Sequence, residues 1–198
     1  NLCHSKRIEL VLELKWDLLK KLNQFHMSKC SLSASFFVSL MEILPKSITK
    51  LTFCDIYIQD SCENILILPP NIETILLFEC DFNFINDMVA QSISQLNELT
   101  VFHDSRSHIF DSLAYQPNPK LEHLAVYSDN IISVEKTTFS YTLETLILGS
   151  CNLFDASQKI IDLCFSSDSN LARVFLRGSR LNKALFTDLL IELLKQEQ

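Results

Sequence analysis

Histidine and cysteine are the side chains best suited to nucleophilic, acid–base or metal chemistry, and this chain has five of the first and seven of the second. Their spacing decides whether they can act together. His4, His26, His103, His108 and His123 are scattered, without the two- or four-residue spacing of a metal triad. The adjacent pair His103 and Asp104 could approach His123 only across neighbouring segments, and coincidence accounts for that pairing. The cysteines are odd in number and show no Cys-x-x-Cys pair, so neither a disulfide framework nor a zinc site is indicated. Only two glycines occur, Gly149 and Gly178, which leaves no glycine-rich loop to cradle a phosphate. These observations point away from an enzyme and call for no cofactor and no metal.

Charge and hydropathy narrow the partners. The net charge of -7 is spread along the chain, and no basic cluster exceeds Lys6-Arg7 or Lys20-Lys21, so nucleic acid is not expected. At 47% hydrophobic and 21% charged, the composition is that of a globular domain with a sizeable core. No apolar run approaches the roughly 20 residues of a membrane helix. Residues 1–7 begin without Met and are too polar for a secretion signal, so the chain reads as a fragment or a trimmed piece. There is also no Asn-x-Ser/Thr acceptor. A reducing compartment, cytoplasmic or nuclear, is therefore expected.

The elements that position these side chains come from an internal period. An eleven-residue phrase carries apolar residues at its first, fourth, sixth and eleventh places and often Cys or Asp at the ninth. Its clearest copies are Ile72, Ile75, Leu77, Cys80, Phe82 and Leu143, Leu146, Leu148, Cys151, Leu153; another opens the series as Leu22, Phe25, Met27, Cys30, Leu32. Seven copies begin at positions 22, 48, 72, 96, 121, 143 and 171, in steps of 26, 24, 24, 25, 22 and 28 residues. Alternation at places four and six predicts a short strand in each copy, with places three, five and seven on the opposite face. Ile56 at a ninth place and Arg106 at an apolar one mark copies expected to be irregular.

The phrase resembles that of the leucine-rich repeat family, and the resemblance runs from about Leu22 to Leu181. It is of the intracellular type, mixed between ribonuclease-inhibitor-like and cysteine-containing repeats. The resemblance implies an α/β solenoid with a curved parallel sheet on its concave face and mixed helical and irregular segments behind. The expected organisation is a helical N-terminal cap over residues 1–21, about seven repeats over 22–181, and a C-terminal helix over 182–198 that is either a cap or a truncated repeat. Helical spacing predicts return helices over residues 33–44 (Phe36, Phe37, Leu40, Met41, Leu44) and 157–165 (Ile160, Ile161, Cys164), with a shorter one over 87–93. Residues 8–21 favour helix, with an alternating edge strand as the rival.

Function is sought on the outward columns. Place seven reads Ser28, Cys54, Phe78, Phe102, Tyr127, Gly149, Arg177, and place five reads His26, Thr52, Leu76, Thr100, Ala125, Ile147, Phe175. Phe78, Phe102 and Tyr127, flanked by Leu76, Ile147 and Phe175, would form an apolar stripe where water is otherwise expected, a mark of a protein-binding surface. Mutual stacking of those rings is the plainer alternative. Arg173 and Arg177 could grip a carboxylate or stay solvated, while Glu73, Glu79, Glu122 and Glu144 line the edges. Cys54 points outward but has no histidine in its column, and Cys30, Cys80 and Cys151 read as structural fillers. The resemblance implies a non-enzymatic protein-binding scaffold, including the substrate-recognition part of a ubiquitin-ligase adaptor of the fungal F-box kind. Its alternative is a regulator of an enzyme, a GTPase activator or an inhibitor.

Overall fold

The computed structural model describes residues 21–59, 68–80, 89, 92–102, 120–127, 139–151, 153–154 and 157–196. Among these residues, seven strands lie in one parallel sheet in strict sequence order. They are β1 (Gln24–Leu32), β2 (Lys50–Ile58), β3 (Thr74–Phe78), β4 (Glu98–Phe102), β5 (His123–Tyr127), β6 (Thr145–Gly149) and β7 (Arg173–Phe175). Helices α1 (Ala34–Ile43), α2 (Ser157–Phe165) and α3 (Lys183–Gln196) and a 3-10 turn at Ile93–Gln95 lie between or after them. This is a solenoid-like α/β arrangement in which, among the described residues, each strand is bonded to its neighbours in sequence.

The register follows the period of the phrase. Phe25 pairs with Leu51, Leu51 with Ile75, Ile75 with Leu99, Leu99 with Leu124, Leu124 with Leu146 and Leu146 with Val174. These are the steps of 26, 24, 24, 25, 22 and 28 residues read from the sequence. Because side chains alternate along a strand, places four and six enter one core. From β2 to β6 these residues are almost fully buried: Leu51, Phe53, Ile75 and Leu77 are 0% exposed, as are Leu99, Val101, Leu146 and Leu148.

Two sets of backbone contacts tie consecutive turns together. The carbonyl at place two accepts two N–H groups from the next copy, at places two and three; Thr49, for example, accepts from Glu73 (2.8 Å) and Thr74 (3.1 Å). The same pair of bonds recurs at Asn23, Glu73, Asn97, Glu122 and Glu144. Polar side chains just before the phrase repeat the tie. Asn71 donates to the carbonyl of Ile48, Gln95 to that of Ile72 (3.2 Å), and the Thr142 hydroxyl to that of Leu121 (3.1 Å). Three different residue types thus satisfy the same buried carbonyl, as interior polar groups require.

Place eight kinks the chain, within β1 and β2 and just past the ends of β3 and β6. Lys29, Asp55, Glu79, Ser150 and Gly178 all have positive φ, between 50° and 68°. This left-handed turn swings place nine inward, where Cys30, Cys80 and Cys151 direct their thiols at the place-seven carbonyls of Ser28 (3.1 Å), Phe78 (3.4 Å) and Gly149 (3.3 Å). Ser179, at the ninth place of the last copy, instead donates to the Leu148 carbonyl (2.7 Å).

Several expectations change. Leu22, assigned to the first core place, is 42% exposed, whereas Ile48, Ile72 and Leu96 at the same place are 0% exposed. No earlier strand precedes it among the described residues to close over it. Ile56, expected to disturb its copy, pairs in register with Cys30 and is buried, because an aliphatic chain fills the same inward space. Helix α1 forms as expected, with the Ser33 hydroxyl accepting from the Phe36 N–H as its N-cap. In α2 the buried pair is Ile160 and Leu163, while Ile161 and Cys164 are half-buried, so the predicted face is rotated. Helix α3 forms, and Phe186, Leu190 and Leu194 on it are exposed, as are Arg173 and Phe175 on the outward side of β7. The expected N-terminal cap, Arg106, the pair His103 and Asp104, and most of the 87–93 helix lie outside the described residues. No described helix is long and apolar enough to cross a membrane.

Candidate interaction face

The outward columns fall in line as the phrase places them. His26, Thr52, Leu76, Thr100, Ala125, Ile147 and Phe175 pair in series across the sheet, as do Ser28, Cys54, Phe78, Phe102, Tyr127 and Gly149. Arg177 departs from this pattern, because β7 ends at Phe175 and Arg177 sits in the turn before Gly178. Its backbone still occupies the seventh place, since its carbonyl accepts the Ser150 N–H (2.9 Å), as that of Phe102 accepts from Glu79 (3.2 Å).

The three aromatic residues stack. Phe78 and Phe102 have ring centroids 5.1 Å apart at an interplanar angle of 22°, and Phe102 and Tyr127 are 4.0 Å apart at 14°. Parallel pairing sets identical places about 4.8 Å apart, which is close to stacking distance, so an aromatic column needs no distortion to form. The rings do stack on one another, and each uses a face on its neighbour. All three remain half-buried, so part of each ring still meets solvent.

Gly149 ends the column. A Cβ at this position would lie 2.2 Å from Cδ1 and 2.7 Å from Cε1 of Tyr127, so the tyrosine ring covers the bare glycine backbone. Sequence reasoning placed Gly149 in the column without seeing that it seats Tyr127. Beside the rings, Leu76 and Ile147 are half-buried and Phe175 is 53% exposed, which extends the apolar surface across place five. Ala125 lies in the same column but is only 8% exposed. Glu73, Glu122 and Glu144 are exposed where the strands begin, and Glu79 is exposed at the far end of β3.

The cysteines divide by environment. Burial pushes the Cys80 thiol up to about 11, only partly offset by backbone bonds with Ile56 and Phe78, and pushes Cys151 up to about 12. Burial also raises Cys164. A high thiol value keeps the neutral form, which suits a filler and disfavours a nucleophile. Since the folded values exceed the unfolded one, these thiols leave stability intact below pH 9; it falls as pH climbs from there toward 11 and 12. Half-buried Cys54 stands apart on the sheet face. Brief alkylation of the native protein at pH 8, followed by peptide mass mapping, should label Cys54 and leave Cys80 and Cys151 unmodified until denaturant is added. Equal labelling of all three would mean that the ninth-place thiols are not held in the core.

The described residues contain no group of three or more His, Cys, Asp or Glu side chains arranged to hold a metal ion. What the face offers is area and shape: stacked rings, aliphatic neighbours and an acidic border. Compared with models of known protein families and with curated proteins, the chain matches none.

Proposed function

We propose that this chain is a leucine-rich repeat module that binds a partner protein on the outer face of its sheet and performs no catalysis of its own. One observation carries the reading: the half-buried stack of Phe78, Phe102 and Tyr127, continued by Leu76, Ile147 and exposed Phe175. A solvated sheet face normally alternates toward polar residues, and a contiguous apolar area in its place is characteristic of a docking surface. Because the ring faces are used on one another, the partner meets ring edges, which carry partial positive charge and suit carbonyl oxygens or the faces of further aromatic rings. The glutamates at the strand starts add a border that complements a basic rim on the partner.

Within this reading the module is the recognition part of a larger protein, such as a ubiquitin-ligase adaptor, working in the cytoplasm or nucleus. The test charges the stripe. Phe102→Asp with Tyr127→Asp should abolish partner capture from cell extract, scored by mass spectrometry beside the parent chain. The same variant should lose about 1–3 kcal/mol of stability as two stacked pairs are broken, yet still unfold cooperatively. Equal capture by parent and variant would move binding off this face, and loss of the cooperative transition would show that the rings belong to the core.

A further inference from the structure

We propose that the segment docking on this face is a basic amphipathic helix, laid across the strands from β3 to β6. This rests on the reading of the outer face as a partner surface and adds the partner's chemistry and direction. The apolar strip sets the direction. Leu76, Phe78, Phe102, Tyr127 and Ile147 come from four consecutive strands, so the strip runs across the sheet, roughly 14 Å over three strand steps. A segment following it lies crosswise to the strands. Because β3, β4, β5 and β6 are each paired on both sides, they offer no open ladder to an extended strand. The occupant must satisfy its own backbone, as a helix does. One helical turn rises about 5.4 Å and one strand step about 4.8 Å, so successive turns meet successive strands.

The relief of the strip suits such a helix. At place five, Thr100 and Ala125 stand between the longer Leu76 and Ile147. Ala125 lies on the outward side yet is only 8% exposed. It floors a shallow seat, with Phe102 and Tyr127 on the place-seven side, for an aliphatic side chain from the middle of the helix.

Charge specifies the helix's edge. Glu73, Glu98, Glu122 and Glu144 supply one carboxylate at or just before the start of each strand from β3 to β6. They stand at places two and three, where the basic residues Lys50 and Arg173 fall on the flanking strands β2 and β7. The acidic run thus coincides with the apolar strip, and within it His123 alone opposes a cation, when protonated. Thr145, outward on β6 beside Glu144, is 9% exposed, and its hydroxyl has no hydrogen-bond partner, which leaves an acceptor for an incoming donor. A helix with one Lys or Arg per turn along one edge would set a cation against each carboxylate. The chain's own described helices lack this pattern: α1 has no basic residue, α2 has one, and α3 has as many acidic as basic residues. A second copy therefore does not supply the occupant from these helices.

The probe is a fluorescein-labelled peptide, Ala-Leu-Lys-Gln-Ala-Leu-Lys-Ala-Leu-Lys-Gln-Ala-Leu-Lys-Ala, titrated against the full chain by fluorescence anisotropy at low salt. One twin carries glutamate for lysine, and another has its central alanine replaced by proline. The basic peptide should bind at least about ten-fold more tightly than the acidic twin and gain helicity on binding, and the proline twin should be weaker by about ten-fold or more. Glu98→Lys with Glu122→Lys should invert the charge preference while leaving the thermal transition in place, since Glu122 is exposed and Glu98 half-buried. Equal binding of the basic and acidic peptides overturns the proposal, as does basic-peptide binding that survives the double reversal or the proline. If it is overturned while Phe102→Asp with Tyr127→Asp still abolishes capture from extract, the face holds a partner of other chemistry. If capture survives as well, the reading of the face falls with it.

Discussion

Replacing Phe53 with alanine is expected to destabilise the fold by about 3–5 kcal/mol, measured by urea denaturation. The residue sits at place six of β2 and is 0% exposed. Its ring meets Phe37 of α1 edge-on, with centroids 5.4 Å apart and planes at 60°. In the sheet it stands between Met27 and Leu77, both buried. Truncation therefore removes an aromatic pair and opens a cavity lined by two strands and a helix. Because each unit of such an array leans on its neighbours, amide exchange should quicken in β1, β2 and β3 well before β6. A loss below about 1 kcal/mol would mean that α1 does not pack on β2 as described.

The second large effect follows from the glycine beneath Tyr127. Gly149 does not share the positive φ of Gly178, so alanine meets no backbone obstacle. Its Cβ would nonetheless fall 2.2 Å from the tyrosine ring. That ring cannot retreat freely, because Phe102 lies against its other face at 4.0 Å. Gly149→Ala is thus expected to cost about 1–3 kcal/mol and to weaken partner capture by disordering the column. Specificity comes from a double-mutant cycle: in a Tyr127→Ala background, the cost of Gly149→Ala should fall to about 0.5 kcal/mol or less. An unchanged cost in that background would place the clash elsewhere.

Strands and register were legible in the sequence because burial at places four and six imposes a period of two within a period of about 24. Other features were hidden for definite reasons. Left-handed backbone is usually signalled by Gly or Asn, yet at place eight it is adopted by Lys29, Asp55, Glu79 and Ser150, and only Gly178 carries the signal. The polar tie before three of the phrases escaped notice because Asn71, Gln95 and Thr142 share a donor but not a side chain. The rotated face of α2 was ambiguous because Ile160, Ile161, Leu163 and Cys164 offer apolar groups on two adjoining stripes. At the candidate site, the columns were readable from spacing, whereas the stacking of Phe78, Phe102 and Tyr127 depends on the 4–5 Å geometry of the sheet. Arg177 was assigned to a strand that stops two residues earlier, because its place in the phrase says nothing of the turn made by Gly178.

The sequential order of the sheet has a kinetic meaning. Bringing any strand to its partner closes a loop of one period, between 22 and 28 residues by the register. The chain entropy lost in doing so differs by only about 0.2 kcal/mol from the shortest loop to the longest. No pair of strands is favoured as a starting point by its distance along the chain. The choice of nucleus falls to side-chain contacts, and β1 with β2, whose nine-residue strands are the longest described and whose Phe53 already has a helical partner, offers the most of them.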